Sequence, residues 1–117
     1  MTKKFSLMQL FSIVDGRLAR TIDDVYDILN HVTDMGEDLM THHLPVAYSY
    51  LKEKNPKWYQ ELKEKIGFLE KETFESAIHW VEAHNDKYDI PQLKDEFDTS
   101  DFGGYMVGNS LLLKKLN

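Results

Sequence analysis

Apolar residues recur at helical spacing in five stretches of the chain. The first stretch follows Ser6 and has apolar residues at positions i, i+3, i+4, i+7 and i+11, namely Leu7, Leu10, Phe11, Val14 and Leu18. This spacing places them on one face of an α-helix. Ser6 and Gln9 have the capping-box pattern that begins a helix, and Gly16 lies where a helix would end. The first stretch therefore predicts a helix with one buried face.

The other four stretches follow residues that commonly begin helices. Thr21 with Asp24 repeats the capping pattern, and the fifth stretch runs from Thr73. Pro45 begins the third, and Asn55 is the predicted N-cap of the fourth, with Pro56 at its first helical position. Gly67 would end or bend the fourth helix. The main apolar positions of the four are Ile22, Val25, Tyr26, Leu29 and Val32; Val46, Ala47, Tyr48, Tyr50 and Leu51; Trp58, Tyr59, Leu62, Ile66 and Leu69; Phe74, Ala77, Ile78 and Val81.

The pattern as a whole predicts a mainly α, compact single domain over residues 1–117 with about five helices. Residues 88–117 are predicted to be irregular, acidic at first and then glycine-rich. A small β-hairpin is one prediction for Tyr105–Val107 and Leu111–Leu113, and a short terminal helix capped by Ser110 is the other. The predicted core contains Phe11, Val25, Tyr26, Leu29, Leu51, Leu62, Ile78 and Val81.

Composition agrees with a folded protein. The chain has 117 residues, of which 42% are hydrophobic and 29% charged, whereas disordered chains lack such apolar content. It has no cysteine, which excludes disulfides, thiolate zinc sites and a cysteine nucleophile. No apolar run approaches the ~20 residues that a membrane-spanning helix needs. We therefore expect a protein that works in the cytoplasm without a membrane anchor, and its oligomeric state stays open.

Most of the net charge of −6 falls between Glu82 and Asp101. This stretch has seven carboxylates and two lysines: Glu82, Asp86, Asp89, Asp95, Glu96, Asp98 and Asp101 against Lys87 and Lys94. A negative field attracts cationic surfaces and repels nucleic-acid phosphates and anionic lipid. The stretch therefore predicts a partner protein with a basic surface, and neither direct nucleic-acid binding nor membrane binding.

Trp80 is the predicted apolar anchor of that contact. The other aromatic residues near the stripes, including Phe68 and Phe74, are predicted to lie in the core. Trp80 instead lies beside the buried stripe of the fifth helix, where a large aromatic residue often anchors an interface. The predicted partner-binding residues are Trp80, Asp86, Asp89, Asp95, Glu96, Asp98 and Asp101.

Two histidine-containing patterns leave a metal-dependent hydrolase or nuclease as the alternative function. His42 and His43 are adjacent before the third helix, and Glu75, His79 and Glu82 share one helix face. Neighbouring side chains in extended chain point apart, and a bundle metal site needs ligands from a second helix. We therefore predict a protein with no catalysis, no metal and no cofactor. One of the two adjacent histidines is predicted to cap the third helix and the other to face solvent, and Glu75, His79 and Glu82 are predicted to form a solvated face.

A helix-turn-helix regulator of DNA is a further alternative, because the second and third helices are joined by the short segment 34–40. That join carries Asp34, Glu37 and Asp38, which would face DNA phosphates. The join therefore disfavours DNA binding.

Several short motifs resemble small uncharacterised proteins of tailed bacteriophages. They are Phe11-Ser12 with Gly16 and Leu18; Asp24-Val25-Tyr26 with Leu29; and Thr41-His42 with Leu44-Pro45. The resemblance covers the first half of the chain and implies no catalytic residues. It implies an accessory protein made in the bacterial host cytoplasm that inhibits or modulates a host protein, such as a nucleic-acid-handling enzyme or an anti-phage defence complex of the CRISPR type.

Overall fold

The computed structural model describes residues 1–35 and 39–100, and this part of the chain contains five α-helices and two strands. The helices are α1 (Leu7–Val14), α2 (Ile22–Thr33), α3 (Leu44–Lys54), α4 (Lys57–Ile66) and α5 (Phe74–Ala83). The strands are β1 (Thr2–Ser6) and β2 (Lys87–Pro91), and short 3₁₀ helices span Thr41–His43, Gly67–Lys71 and Leu93–Asp95.

Helix α1 is the centre of the core. Seven of its eight residues are buried, and it contacts α2, α4 and α5. A helix that is apolar on nearly all sides must be enclosed by other elements. The remaining helices therefore pack around α1.

The first turn of α1 is capped by both local and distant groups. Ser6 accepts a hydrogen bond from the backbone N–H of Gln9 (3.2 Å), completing the predicted capping box. The N–H of Leu7 donates to the carbonyl of Asp86 (2.9 Å), and the N–H of Met8 donates to the side-chain oxygen of Asn85 (2.9 Å). The segment after α5 thus satisfies donors that a helix start leaves without partners.

The two strands that pair are more than eighty residues apart in the sequence. Strand β1 runs antiparallel to β2, with Lys4 opposite Asp89 and Ser6 opposite Lys87. Phe5 and Ile90 point into the core, where each is at most 2% exposed. The pairing attaches the end of α5 to the start of α1.

The C-terminal end of α2 holds the chain that follows β2. His31 donates from Nε2 to the carbonyl of Ile90 (2.7 Å). Asp34 accepts from Gln92 (3.1 Å) and from Lys94 (2.7 Å) through its two carboxylate oxygens. Residues 90–94 are therefore held against the end of α2, and Ile90 and Pro91 are also paired with β1.

Arg17 fixes the segment that leads into α5. Its guanidinium donates to the carbonyls of Leu69 (2.7 Å) and Glu72 (2.9 Å) and to both carboxylate oxygens of Asp15. These carbonyls end the 3₁₀ helix before α5, so the loop after α1 sets where α5 begins.

The mainly α fold with five helices is confirmed. Six of the eight predicted core residues are buried, whereas Tyr26 and Ile78 are only partly buried at the edges of their helices. Gly16 ends α1 as predicted, with φ of +98°, a value that glycine adopts without strain. Gly67 ends α4, where the helix changes to a 3₁₀ turn.

Several predictions about local structure are wrong. Leu18 lies beyond the end of α1 and is 44% exposed, so it is not on the buried face of that helix. Residues 87–91 form strand β2 and are not irregular, because β1 supplies a pairing partner that lies more than eighty residues away. Asn55 ends α3 in the left-handed conformation, and Pro56 is the N-cap of α4. Phe68 and Phe74 are 51% and 43% exposed and are not core residues. The predicted hairpin around Gly108 lies outside the described residues.

Replacing Phe11 by alanine is expected to lower the free energy of unfolding by about 3–5 kcal/mol, because its fully buried ring would leave a cavity in the core. Phe74→Ala is the matched control. It removes the same ring from a half-exposed position, and we expect a loss of less than about 1.5 kcal/mol. Urea denaturation measures both, and equal losses would contradict the packing described here.

Replacing Asn85 by alanine is expected to lower the free energy of unfolding by about 1–2 kcal/mol. The N–H of Met8 would lose its acceptor in the partly buried first turn of α1. Glu82→Ala, on the exposed surface of α5, serves as the control. If the two variants unfolded at the same urea concentration, the cap from Asn85 would contribute nothing to stability.

Candidate functional site

Trp80 lies in a surface cluster of three aromatic rings. Its indole packs edge-on against Phe68, with ring centroids 5.2 Å apart, and it stacks on His84 at 4.0 Å with an interplanar angle of 17°. His84 is held in place because its Nδ1 bonds the carbonyl of Trp80 (2.8 Å). We call Phe68, Trp80 and His84 the aromatic cluster. It is partly open to solvent, as expected for Trp80 but not for Phe68.

Helix α5 presents a broad outer face beside this cluster. Only Ala77 and Val81 are buried among its ten residues. Since each residue turns the helix by about 100°, Trp80 and Glu82 lie on opposite flanks of the inward-facing Val81. His79 lies between them on the outside. A partner that covered this helix would meet an aromatic flank and an acidic flank together.

Glu82 and Asp86 are exposed, and neither forms an ion pair within the described part of the chain. Asp86 follows the aromatic cluster directly, since its N–H donates to the carbonyl of His84 (2.8 Å). Its own carbonyl caps α1, so its backbone is fixed while its carboxylate faces solvent. These two carboxylates can meet an external cation.

Asp89 and Asp95 already have positive partners in the same molecule. Asp89 faces Lys4 across the strand pair, with Nζ and Oδ1 3.3 Å apart. Asp95 accepts from the amino group of Met1 (2.6 Å) and from the N–H of Gln92 (3.0 Å). The ammonium group is the main reason that the pKa of Asp95 lies below its usual range. These two carboxylates are less available to a partner than the sequence predicts.

Glu96 and Asp98 continue the acidic segment beyond the last 3₁₀ helix, and both are exposed. Asp98 accepts a hydrogen bond from the N–H of Ser100 (3.0 Å), which lowers its pKa. Glu96 has no ion pair within residues 1–35 and 39–100. Asp101, the last predicted partner-binding residue, lies outside the described residues.

The strand pair corrects the predicted charge of this region. In the sequence, the acidic residues from Asp86 onward are accompanied only by Lys87 and Lys94, but β1 adds Lys3, Lys4 and the amino group of Met1. Lys94 in turn is paired with Asp34. The negative field is therefore weaker along β2 than the sequence predicts. The carboxylates without an ion pair among the described residues of this segment are Glu82 and Asp86, beside the aromatic cluster, and Glu96 and Asp98.

The predicted metal-binding patterns lie apart from this surface or face solvent. His42 and His43 pack ring against ring at 4.0 Å, and His43 accepts the N–H of Met40 at Nδ1 (3.0 Å). Burial, with a smaller effect of His42, lowers the pKa of His43. Glu75 and His79 are exposed on α5. Over residues 1–35 and 39–100, no group of three or more His, Asp or Glu side chains is arranged to hold a metal ion.

The chain belongs to a family described as a domain of unknown function, DUF7736, whose model matches residues 5–65. No curated protein matches the chain, and no solved structure matches it. The matched region contains α1 to α3 and all of α4 except its last residue, Ile66, whereas the aromatic cluster and the acidic segment follow it. The bacteriophage context implied by the sequence resemblance stays a prediction.

None of the helices in the described part of the chain is both long enough and apolar enough to cross a membrane.

Sequence reasoning missed Phe68 and His84 as members of the site. Phe68 lies between the buried residues Ile66 and Leu69 and off their stripe, and the 3₁₀ turn Gly67–Lys71 holds its ring at the surface. His84 is four residues after Trp80, which is the helical spacing for a contact between neighbouring turns. That spacing was visible in the sequence, whereas the turn at Phe68 was not.

Replacing Asp34 by asparagine tests how the acidic segment is held. Asparagine accepts the left-handed conformation of this residue (φ 58°), so the variant chiefly removes charge. The hydrogen bond from Lys94 is the main cause that lowers the pKa of Asp34. Because the folded pKa lies below the unfolded value of about 3.9, the ionised carboxylate stabilises the fold above that pH. The wild type should therefore melt at a higher temperature than the variant at pH 7.

That difference is expected to shrink as the pH falls below about 4 and through the lowered folded pKa of Asp34, because the wild-type carboxylate then becomes protonated. Thermal denaturation of both proteins from pH 7 to pH 3 measures it. Asp27→Asn, at an exposed position in the middle of the same helix, is the control. A difference that stayed constant over this range would show that the ion pair with Lys94 does not hold the segment.

Proposed function

We propose that this protein is a non-catalytic binding protein that docks the outer face of α5 and the acidic residues after it on a basic surface of another protein. The observation that carries the proposal is the exposed aromatic cluster directly beside Asp86. In this proposal the aromatic cluster makes an apolar contact at the centre of the interface. The carboxylates meet positive charges of the partner at its border.

The aromatic cluster supports the apolar part of this contact. Phe68 is 51% exposed although it is a large apolar residue, and its contact with Trp80 holds both rings at the surface. Aromatic residues held in this way carry a large share of the binding energy in protein interfaces, and little conformational entropy is lost when they bind.

Carboxylates on α5 and in the segment after it support the electrostatic part. Glu82, Asp86 and Glu96 are exposed and form no ion pair within the described residues. Charges at the border of an interface speed association and select the partner more than they add affinity. Asp89 and Asp95 contribute less in this proposal, because Lys4 and the amino group of Met1 already neutralise them.

The resemblance to bacteriophage proteins makes the proposal more specific. In that context the partner is a host protein, either an enzyme that handles nucleic acid or an anti-phage defence complex. Such proteins carry basic surfaces for phosphates, and the carboxylates would take the place of those phosphates. The protein would then inhibit its partner by occupying the surface, without any catalysis of its own.

An affinity pull-down from bacterial lysate with three proteins tests this function. The first is the wild type, the second has Phe68→Ala, and the third has Glu82→Gln, Asp86→Asn and Glu96→Gln. Loss of a central aromatic contact costs about 2 kcal/mol, so Phe68→Ala should weaken recovery of the partner roughly 30-fold. The variant with three neutralised carboxylates should recover less partner than the wild type. The difference should be largest at low salt, because salt screens the wild-type charges, over ~8 Å at physiological ionic strength.

The matched control carries Asp23→Asn, Asp27→Asn and Glu53→Gln. These changes remove the same charge from exposed positions of α2 and α3, so they separate local charge from net charge. The control should recover the partner as the wild type does, and circular dichroism should show all four proteins folded. Equal recovery by all four proteins at low salt would overturn the proposal.

A further inference from the structure

A pocket of about 270 Å³ opens between α4 and β2, and the proposed function does not use it. Trp58, Leu62 and Ile90 form its inner surface, and each is less than 10% exposed. Tyr88 forms one side. A concave apolar surface with a few polar groups at the mouth is the usual form of a small-ligand site.

The mouth of the pocket carries a lysine without a carboxylate partner. Lys65 follows Glu61 by four residues, a spacing at which opposite charges commonly pair. Glu61 instead lies 4.0 Å from Lys57, and Lys65 is turned to Tyr88. Over residues 1–35 and 39–100, Lys65 forms no ion pair.

Lys65 and Tyr88 together present free donors. The ammonium of Lys65 donates a hydrogen bond to the Tyr88 hydroxyl oxygen and lies 5.0 Å from the centre of its ring. An ammonium group has three N–H donors, and a phenol that accepts through its oxygen still has its own proton to donate. The described residues supply no acceptor for that proton or for the other two N–H groups.

Each acidic residue at the mouth is paired with a lysine outside the pocket. Asp89 lies 3.3 Å from Lys4, and Glu61 is beside Lys57. The uncompensated charge at the mouth is therefore the positive charge of Lys65. It favours an anion, and it would repel a cation of the same size.

We propose that this pocket binds a ligand with an aromatic or branched apolar body and one carboxylate. The body lies against Trp58, Leu62 and Ile90, and the carboxylate accepts hydrogen bonds from Lys65 and Tyr88. The ligand is either a free carboxylic acid or the C-terminal residue of a peptide, since both have this chemistry.

Three probes with the same phenyl body test the proposal: 3-phenylpropionate, 3-phenylpropanamide and 3-phenylpropylamine. Trp58 and Trp80 are the two tryptophans of the chain, so Trp80→Phe leaves Trp58 as the fluorescent reporter in the pocket. Amide NMR shifts of residues 88–90 give a second readout that does not depend on tryptophan. The acid should bind at millimolar concentration, the amide about tenfold more weakly, and the amine least.

Lys65→Met should weaken binding of the acid by about tenfold and leave binding of the amide unchanged, because only the acid makes a charge-assisted bond. Tyr88→Phe should weaken binding of the acid by a smaller factor. Lys63→Met is the matched control, since Lys63 lies on the same helix over the Tyr59 ring and outside the pocket. It should change neither affinity.

A tripeptide ending in phenylalanine separates the two sources of ligand. If the free tripeptide binds more tightly than 3-phenylpropionate and its C-terminal amide does not, the ligand is a peptide C-terminus. Equal affinity of the tripeptide and the acid supports a free carboxylic acid. Binding of the amine as tight as that of the acid, or no response of Trp58 and of residues 88–90 to any probe, would overturn the proposal.

Discussion

The antiparallel pairing of β1 with β2 is the constraint on which the arrangement of this protein depends. The two strands come from opposite ends of the described chain, so their pairing closes a loop that contains all five helices. It also places Asn85 and Asp86 against the first turn of α1, the most buried helix. A buried helix start needs acceptors for its free N–H groups. The strand pair supplies them and so connects the sheet to the core.

The same pairing changes the distribution of negative charge on the protein surface. Strand β1 carries Lys3 and Lys4, and Lys4 lies opposite Asp89 of β2, so opposite charges meet across the ladder at this pair. Cross-strand pairs of this kind contribute to the choice of partner strand, and they remove charge from the surface that the sequence predicts as acidic. Glu82 and Asp86 have no ion pair among the described residues and stand next to the aromatic cluster. The strand pair therefore neutralises Asp89 but leaves negative charge beside the apolar contact.

The helices could be predicted from the sequence because their signals are local. The capping box of Ser6 and Gln9, and the glycine after α1, depend on residues a few positions apart. Strand β2 could not be predicted, since a five-residue strand with one buried side chain has almost no pattern until its partner is known. The candidate site divides in the same way between residues with a local signal and residues whose partners are distant in the sequence. Trp80 was found from its helical position, whereas the neutralisation of Asp89 and Asp95 depends on groups at the other end of the chain.

The family match ends at residue 65, but residues within it depend on contacts with residues that follow it. Helix α1 lies within the match, whereas the acceptors for Leu7 and Met8 belong to Asp86 and Asn85. Phe5 begins the match and pairs with Tyr88 in β2. An isolated region 5–65 would leave these donors and this strand edge without partners, and each unpaired buried donor costs about 1–3 kcal/mol. Residues 66–100 therefore complete the matched domain, and the surface proposed for binding is built on the same elements that complete it.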